Sequence, residues 1–134
     1  MRAISIDHLA MCCHDVQKQV DWYCTHFGME MIGSDGKTPA SVIIGFEGNA
    51  NGGAMIELMP VRDEGSDAAD MARFQHGMRH FAFRVADFEA AYKRLKELGI
   101  KFLFEPVTAI GGGKIVSFRD PEGNEVQIVE RNKN

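Results

Sequence analysis

The first strand-like run of the chain, AISIDHLAMC, carries one histidine, His8, and a similar run, RHFAFRV, carries another, His80. Two later apolar runs each hold an oxygen-bearing side chain in the matching place, Glu57 in AMIELM and Gln127 in EVQIV. Successive side chains of a strand point to opposite faces. His8 therefore shares a face with Ile6, Ala10 and Cys12, and His80 shares one with Met78, Ala82 and Arg84. Glu57 falls with Met55 and Met59, and Gln127 with Glu125 and Val129. Two imidazoles, a carboxylate and an amide form a nitrogen–oxygen donor set suited to a divalent cation. A carboxylate between large apolar residues is costly unless paired, and a cation at Glu57 would remove that cost. Taken singly, each histidine also fits a satisfied core position and Glu57 a solvated edge. The doubling of all four positions favours the cation.

The elements that must position these residues also occur twice. The stretches IDHLAMCCHDVQKQVDWYCTHFGMEMI and RHFAFRVADFEAAYKRLKELGIKFL share their order of landmarks. His8 and His80, Asp15 and Asp87, and Gly28 and Gly99 keep nearly constant separations, the mark of an internal duplication. Ala3–Cys12 and Arg79–Val85 read as strands, with Asp15 and Asp87 as helix N-caps behind them. Val16, Val20, Tyr23 and Phe27, and then Phe88, Ala91, Leu95 and Leu98, recur at helical spacing, and Gly28 and Gly99 close the helices. Three strands follow each helix: Met29–Gly33, Ser41–Phe46 and Ala54–Met59, then Lys101–Phe104, Lys114–Arg119 and Glu125–Val129. Turn-rich SDGKTP, EGNANGG, AIGGG and DPEGN separate them. The expected fold class is α+β, with a βαβββ module at 1–59, a polar linker at 60–77 holding a short helix at Asp67–Phe74, and a second module at 78–134.

Composition narrows the partners. With 45% hydrophobic and 25% charged residues, the chain can build a core and is not a disordered segment. Nineteen acidic against fifteen basic residues give a net charge of −4, with no basic stripe for nucleic acid. No apolar run reaches the ~18–20 residues that span a bilayer, and the first residues lack the apolar core of a signal peptide. A cytoplasmic protein is expected. Cys12, Cys13 and Cys24 are odd in number and include adjacent residues, so ordinary reduced thiols are expected.

These motifs, from IDHLAM to FRDPEGNEVQIVE, resemble the vicinal oxygen chelate superfamily, which holds glyoxalase I, methylmalonyl-CoA epimerase, extradiol dioxygenases and bleomycin-binding proteins. The closing stretch carries the most specific likeness: a strand, an Asp-Pro-x-Gly turn and a strand with a metal ligand four residues past the glycine, here Gln127. The resemblance implies two βαβββ modules forming a cupped mixed sheet around one divalent metal ion (Zn, Ni, Co, Mn or Fe). The implied ligands are His8, Glu57, His80 and Gln127. Most metal-dependent relatives place Glu at the last position, so Gln127 makes the site one charge less negative and weakens its hold on the ion. Gln127→Glu is expected to tighten binding.

The resemblance further implies a lyase or isomerase of the glyoxalase I (lactoylglutathione lyase-like) type, with proton transfer through a metal-chelated enediolate. A methylmalonyl-CoA-like epimerase is the alternative of the same chemistry, and a small-molecule binding or resistance protein is the alternative of another class. A dioxygenase is disfavoured, because Gln127 replaces the Glu that would hold iron. Cys12 and Val61 stand where glutathione-dependent relatives carry Arg and Asn, whereas Arg84, four residues after His80, could take a substrate carboxylate or phosphate. The base is assigned to Glu57, with Glu125 as the second candidate; a solvated residue at a strand start is the competing reading of Glu125. A small-molecule substrate and a homodimer complete the expectation.

Overall fold

Each helix begins where an aspartate can satisfy its free backbone donors. Asp15 Oδ1 accepts a hydrogen bond from the Lys18 N–H at 3.0 Å, and Asp87 Oδ1 accepts one from Ala90 at 3.1 Å. The helices α1 (Val16–Phe27) and α2 (Phe88–Glu97) run into Gly28 and Gly99, whose φ angles of 70° and 87° lie in the left-handed region. Both helices lie where the helical spacing predicts them.

The computed structural model describes residues 1–47, 53–65 and 67–131. The chain divides into two units, Met1–Gly65 and Ser66–Asn134. The expected turn EGNANGG falls largely outside the described residues, as does the C-terminal end at 132–134.

In the first unit β1 (His8–Cys13), β2 (Glu30–Ser34), β3 (Val42–Gly45) and β4 (Met55–Pro60) form one sheet in the order β1-β4-β3-β2. In the second, β5 (His80–Arg84), β6 (Val107–Thr108), β7 (Lys114–Arg119) and β8 (Glu125–Glu130) repeat that order as β5-β8-β7-β6. In each sheet the first and last strands pair in parallel and the other neighbours are antiparallel. The result is βαβββ twice, an α+β fold with two mixed sheets.

Alternation decides what each sheet buries. Ile56 and Leu58 of β4 and Ile44 of β3 are buried on the side where α1 packs, with Val20 and Tyr23 of that helix. Val126 and Ile128 of β8 play the same part beneath α2, where Phe88 and Leu95 are buried. The residues between them, Glu57 and Gln127, are thereby turned to the opposite faces.

Two expected strands differ. The expected strand Ala3–Cys12 begins only at His8: the ladder opens with Met55 N–H donating to the Asp7 carbonyl, and among the described residues no strand pairs with the residues before it. The expected strand Lys101–Phe104 is reduced to a single bridge, Phe102 to Phe118, and the strand proper is Val107–Thr108. More residues separate Phe102 from Val107 than separate Ile115 from Phe118, so a bulge that includes Pro106 interrupts the ladder. Phe102 packs instead against Tyr92, with ring centroids 4.6 Å apart. The short helix expected at Asp67–Phe74 is a 3-10 turn at Ala68–Asp70.

The β6–β7 hairpin closes through Gly113, with φ of 89°, where a Cβ would lie 1.6 Å from the Glu130 carbonyl oxygen. Gly36 has φ of 70° and open space around it. Chemical denaturation should therefore find Gly113→Ala destabilised by about 4 kcal/mol and Gly36→Ala by only about 1 kcal/mol. Equal losses would mean that backbone conformation, and not the close approach, sets both.

Candidate functional site

The parallel register of β1 and β4 sets Ala10 opposite Glu57, so His8, two residues earlier on the same face, meets Glu57 diagonally. His8 Nε2 lies 3.4 Å from Glu57 Oε2, and His8 Nδ1 lies 2.8 Å from Asp7 Oδ2. The hydrogen bond to Asp7 raises the His8 pKa; the charges of Asp7 and Glu57 add to that, against a smaller lowering by burial. Glu57 is half-buried and lines a concavity of about 370 Å³ with Gly33, Ser34, Asp35, Ser41 and Ile43, all of the first unit.

The second unit repeats this register: Ala82 stands opposite Gln127, and His80 opposite Glu125. Across β7, Ser117 is the direct partner of Gln127. Gln127 Nε2 donates to Ser117 Oγ at 2.9 Å, and Ser117 Oγ donates to Glu125 Oε2 at 2.8 Å. A hydroxyl has one hydrogen, so a serine that donates to the carboxylate must accept from the amide. That ordering fixes the amide. Its N–H₂ is turned to Ser117, and its carbonyl oxygen takes no hydrogen bond among the described residues.

Glu125 is not the solvated strand-start residue of the competing reading. It is 5% exposed and held by a bidentate Arg73, whose Nε and Nη2 donate at 2.7 and 2.8 Å. Arg73 lowers the Glu125 pKa, burial opposes, and Ser117 reinforces the lowering. A carboxylate so stabilised in its charged form is a weak base. His80 Nδ1 lies 3.9 Å from its Oε2. Arg84 ends β5 on the same face as His80, is exposed, and forms no ion pair among the described residues.

Sequence parity placed His8 with the Glu57 face and His80 with the Gln127 face, and it missed Arg73 and Ser117. Ser117 could have been found, since aligning β7 with β8 in antiparallel register sets it against Gln127. Arg73 sits in the polar connecting stretch, and no periodicity links it to Glu125. Among the described residues no three His, Cys, Asp or Glu side chains gather as a ligand cluster. The donors come instead as one imidazole and one oxygen donor per unit. His8 with Glu57, and His80 with a Gln127 whose carbonyl is left available, match the nitrogen–oxygen preference of a divalent ion. The donor chemistry fits.

A family model, the Glyoxalase/Bleomycin resistance protein/Dioxygenase superfamily, matches residues 5–128. The chain belongs to this superfamily. The uncharacterized protein YurT of Bacillus subtilis is 43% identical to this glyoxalase-superfamily chain over 58 residues, a match spanning 43% of the chain and only 45% of YurT. A probable lactoylglutathione lyase of Synechocystis sp. is 24% identical over 119 residues, 87% of each protein. The crystal structure of a glyoxalase/dioxygenase from Nostoc punctiforme superposes with a TM-score of 0.76 at 19% identity, covering 97% of this chain and 92% of that one. That likeness carries the fold. No helix among the described residues is long and apolar enough to cross a membrane.

Because Arg73 offsets a buried charge, Arg73→Gln should cost about 2 kcal/mol at pH 7, the buried-pair figure reduced for the partial exposure of Arg73. A lowered carboxylate pKa contributes stability that is complete above its ordinary value and is lost as pH falls through the folded value. The difference between variant and parent should thus shrink below about pH 4.5, the ordinary value. Urea unfolding at a series of pH values measures it, and a pH-independent difference would contradict the pairing.

Proposed function

We propose that this glyoxalase-superfamily chain is a divalent-metal-dependent lyase or isomerase of the glyoxalase I type, moving a proton beside a carbonyl of a small α-hydroxycarbonyl or α-dicarbonyl adduct. The observation that carries this reading is one register used twice: a histidine on the first strand, on the diagonal from an oxygen donor two positions further along the last, His8 with Glu57 and His80 with Gln127. These four residues are the proposed ligand set. When bound, the ion would act as a Lewis acid that polarises a substrate carbonyl.

Glu57 is the base. Its carboxylate borders the concavity of the first unit, where it can take a proton from the carbon next to the carbonyl and return it to the neighbouring carbon, leaving the substrate's atoms and electrons balanced. His8, 3.4 Å away, orients that carboxylate. Arg84, exposed on the His80 face, receives a carboxylate or phosphate at the far end of the substrate. Glu125 is left out of the proton transfer, because Arg73 and Ser117 hold both its oxygens. The likeness to a probable lactoylglutathione lyase supports the lyase reading.

Elemental analysis of purified protein should find a divalent ion that the His8→Ala, His80→Ala double variant lacks; unchanged stoichiometry would sink the ligand assignment. Turnover of the methylglyoxal–glutathione hemithioacetal, set against racemic methylmalonyl-CoA, separates lyase from epimerase. Turnover of neither, with the ion present, would favour a binding protein. Glu57→Gln should lower turnover by ~10²-fold or more.

Gln127→Glu is a sharper probe. It adds a negative charge to the ligand set and should tighten ion binding about tenfold. It also removes the donor to Ser117 and puts a second carboxylate near Glu125, so the metal-free protein should melt at lower temperature than its parent. A variant that gains affinity with no loss of metal-free stability would show that the Ser117 bond contributes nothing.

A further inference from the structure

The second unit holds a small cavity of about 150 Å³ between the connecting stretch and the starts of β5 and β8. Three arginines, Arg73, Arg79 and Arg119, and one carboxylate, Glu125, line it, with Met71 and Met78 among its apolar walls. The charges do not cancel. Arg73 is spent on Glu125, whose two oxygens are taken by its fork and by Ser117. Asp120, next in sequence to Arg119, is turned into the β7–β8 turn, where Asn124 Nδ2 and the N–H groups of Glu122 and Asn124 donate to it.

Arg79 and Arg119 are left without a carboxylate partner among the described residues. Among the described residues Arg79 uses only Nη1, on the Ala72 carbonyl at 3.1 Å, and its buried Nε meets no acceptor. Arg79 carries the same Nε–Nη2 edge with which Arg73 grips Glu125, and among the described residues that edge meets no acceptor. Arg119 stands opposite Glu125 across the β7–β8 ladder and, among the described residues, uses only Nη1, on the Gly123 carbonyl at 2.7 Å. A buried donor without an acceptor is costly, and two uncompensated guanidinium groups around one small cavity attract negative charge. A guanidinium fork matches a carboxylate or phosphate in geometry as well as charge.

We propose that this cavity is a binding site for a compact oxyanion, the terminal carboxylate or phosphate of a small molecule, held by Arg79 and Arg119. The volume of about 150 Å³ suits such a group. The site does not depend on the proposed metal chemistry, and none of its residues belongs to the ligand set.

Isothermal titration of the protein as purified, at low ionic strength, with inorganic phosphate and separately with acetate tests it. At least one anion should bind, and the tighter of the two identifies the group. Arg79→Gln and Arg119→Gln should each weaken that binding about tenfold. Arg94→Gln, which removes the same charge from α2, should leave it unchanged, and so should His8→Ala, which separates the cavity from the ion ligands. Arg79→Lys keeps the charge without the fork and should bind between parent and Arg79→Gln, a graded loss that misfolding would not give. Binding of neither anion by the parent overturns the proposal. So does equal binding by the parent and both glutamine variants, or an equal loss in Arg94→Gln.

Discussion

Everything at the candidate site depends on the parallel pairing of the first and last strands in each sheet. A parallel ladder in fixed register presents the same residues side by side on one face, and a slip of one residue would send every one of them to the other face. The buried partners Ile56, Leu58, Val126 and Ile128 lock that register, because their side chains must stay beneath α1 and α2. Glu57 and Gln127 face the other way as a direct consequence, each on the diagonal from a histidine of the neighbouring strand. Burial on one side thus positions chemistry on the other.

The two units solve the same geometric problem with different electrostatics. In the first, an ionisable imidazole faces an ionisable carboxylate, and Asp7 biases the imidazole toward its charged form. In the second, the oxygen donor is neutral, and the carboxylate beside it is neutralised by Arg73. Ser117 links them, so the orientation of an uncharged amide follows from the ionisation of Glu125 two residues away. The two units share one scaffold and differ in its charges.

Much of this was legible before the structure. Helix starts and ends could be read from Asp15, Asp87, Gly28 and Gly99, because caps are local chemistry, and the faces of His8, Glu57, His80 and Gln127 followed from strand parity. What escaped depends on long-range partners. The strand expected at Lys101–Phe104 is apolar enough to pair, but Phe102 packs on Tyr92 and the ladder resumes only past Pro106. The Ala3–Cys12 run has the right composition, but β4 offers its early residues no partner. Glu125 looked solvated beside its turn, since nothing in its own neighbourhood announces an arginine from the polar connection.

That arginine carries a kinetic consequence. Arg73 and Glu125 are 52 residues apart in the chain, and Arg73 leaves a stretch whose only regular structure among the described residues is a 3-10 turn. Such a contact cannot nucleate anything; closing a long loop is worthwhile only after β8 has joined its sheet. A contact made only after the folding barrier governs how fast a protein comes apart more than how fast it assembles, so an Arg73 clamp of that kind would act on the unfolding rate. In that case Arg73 is a latch on the lifetime of the second unit, set across the cavity face of its sheet.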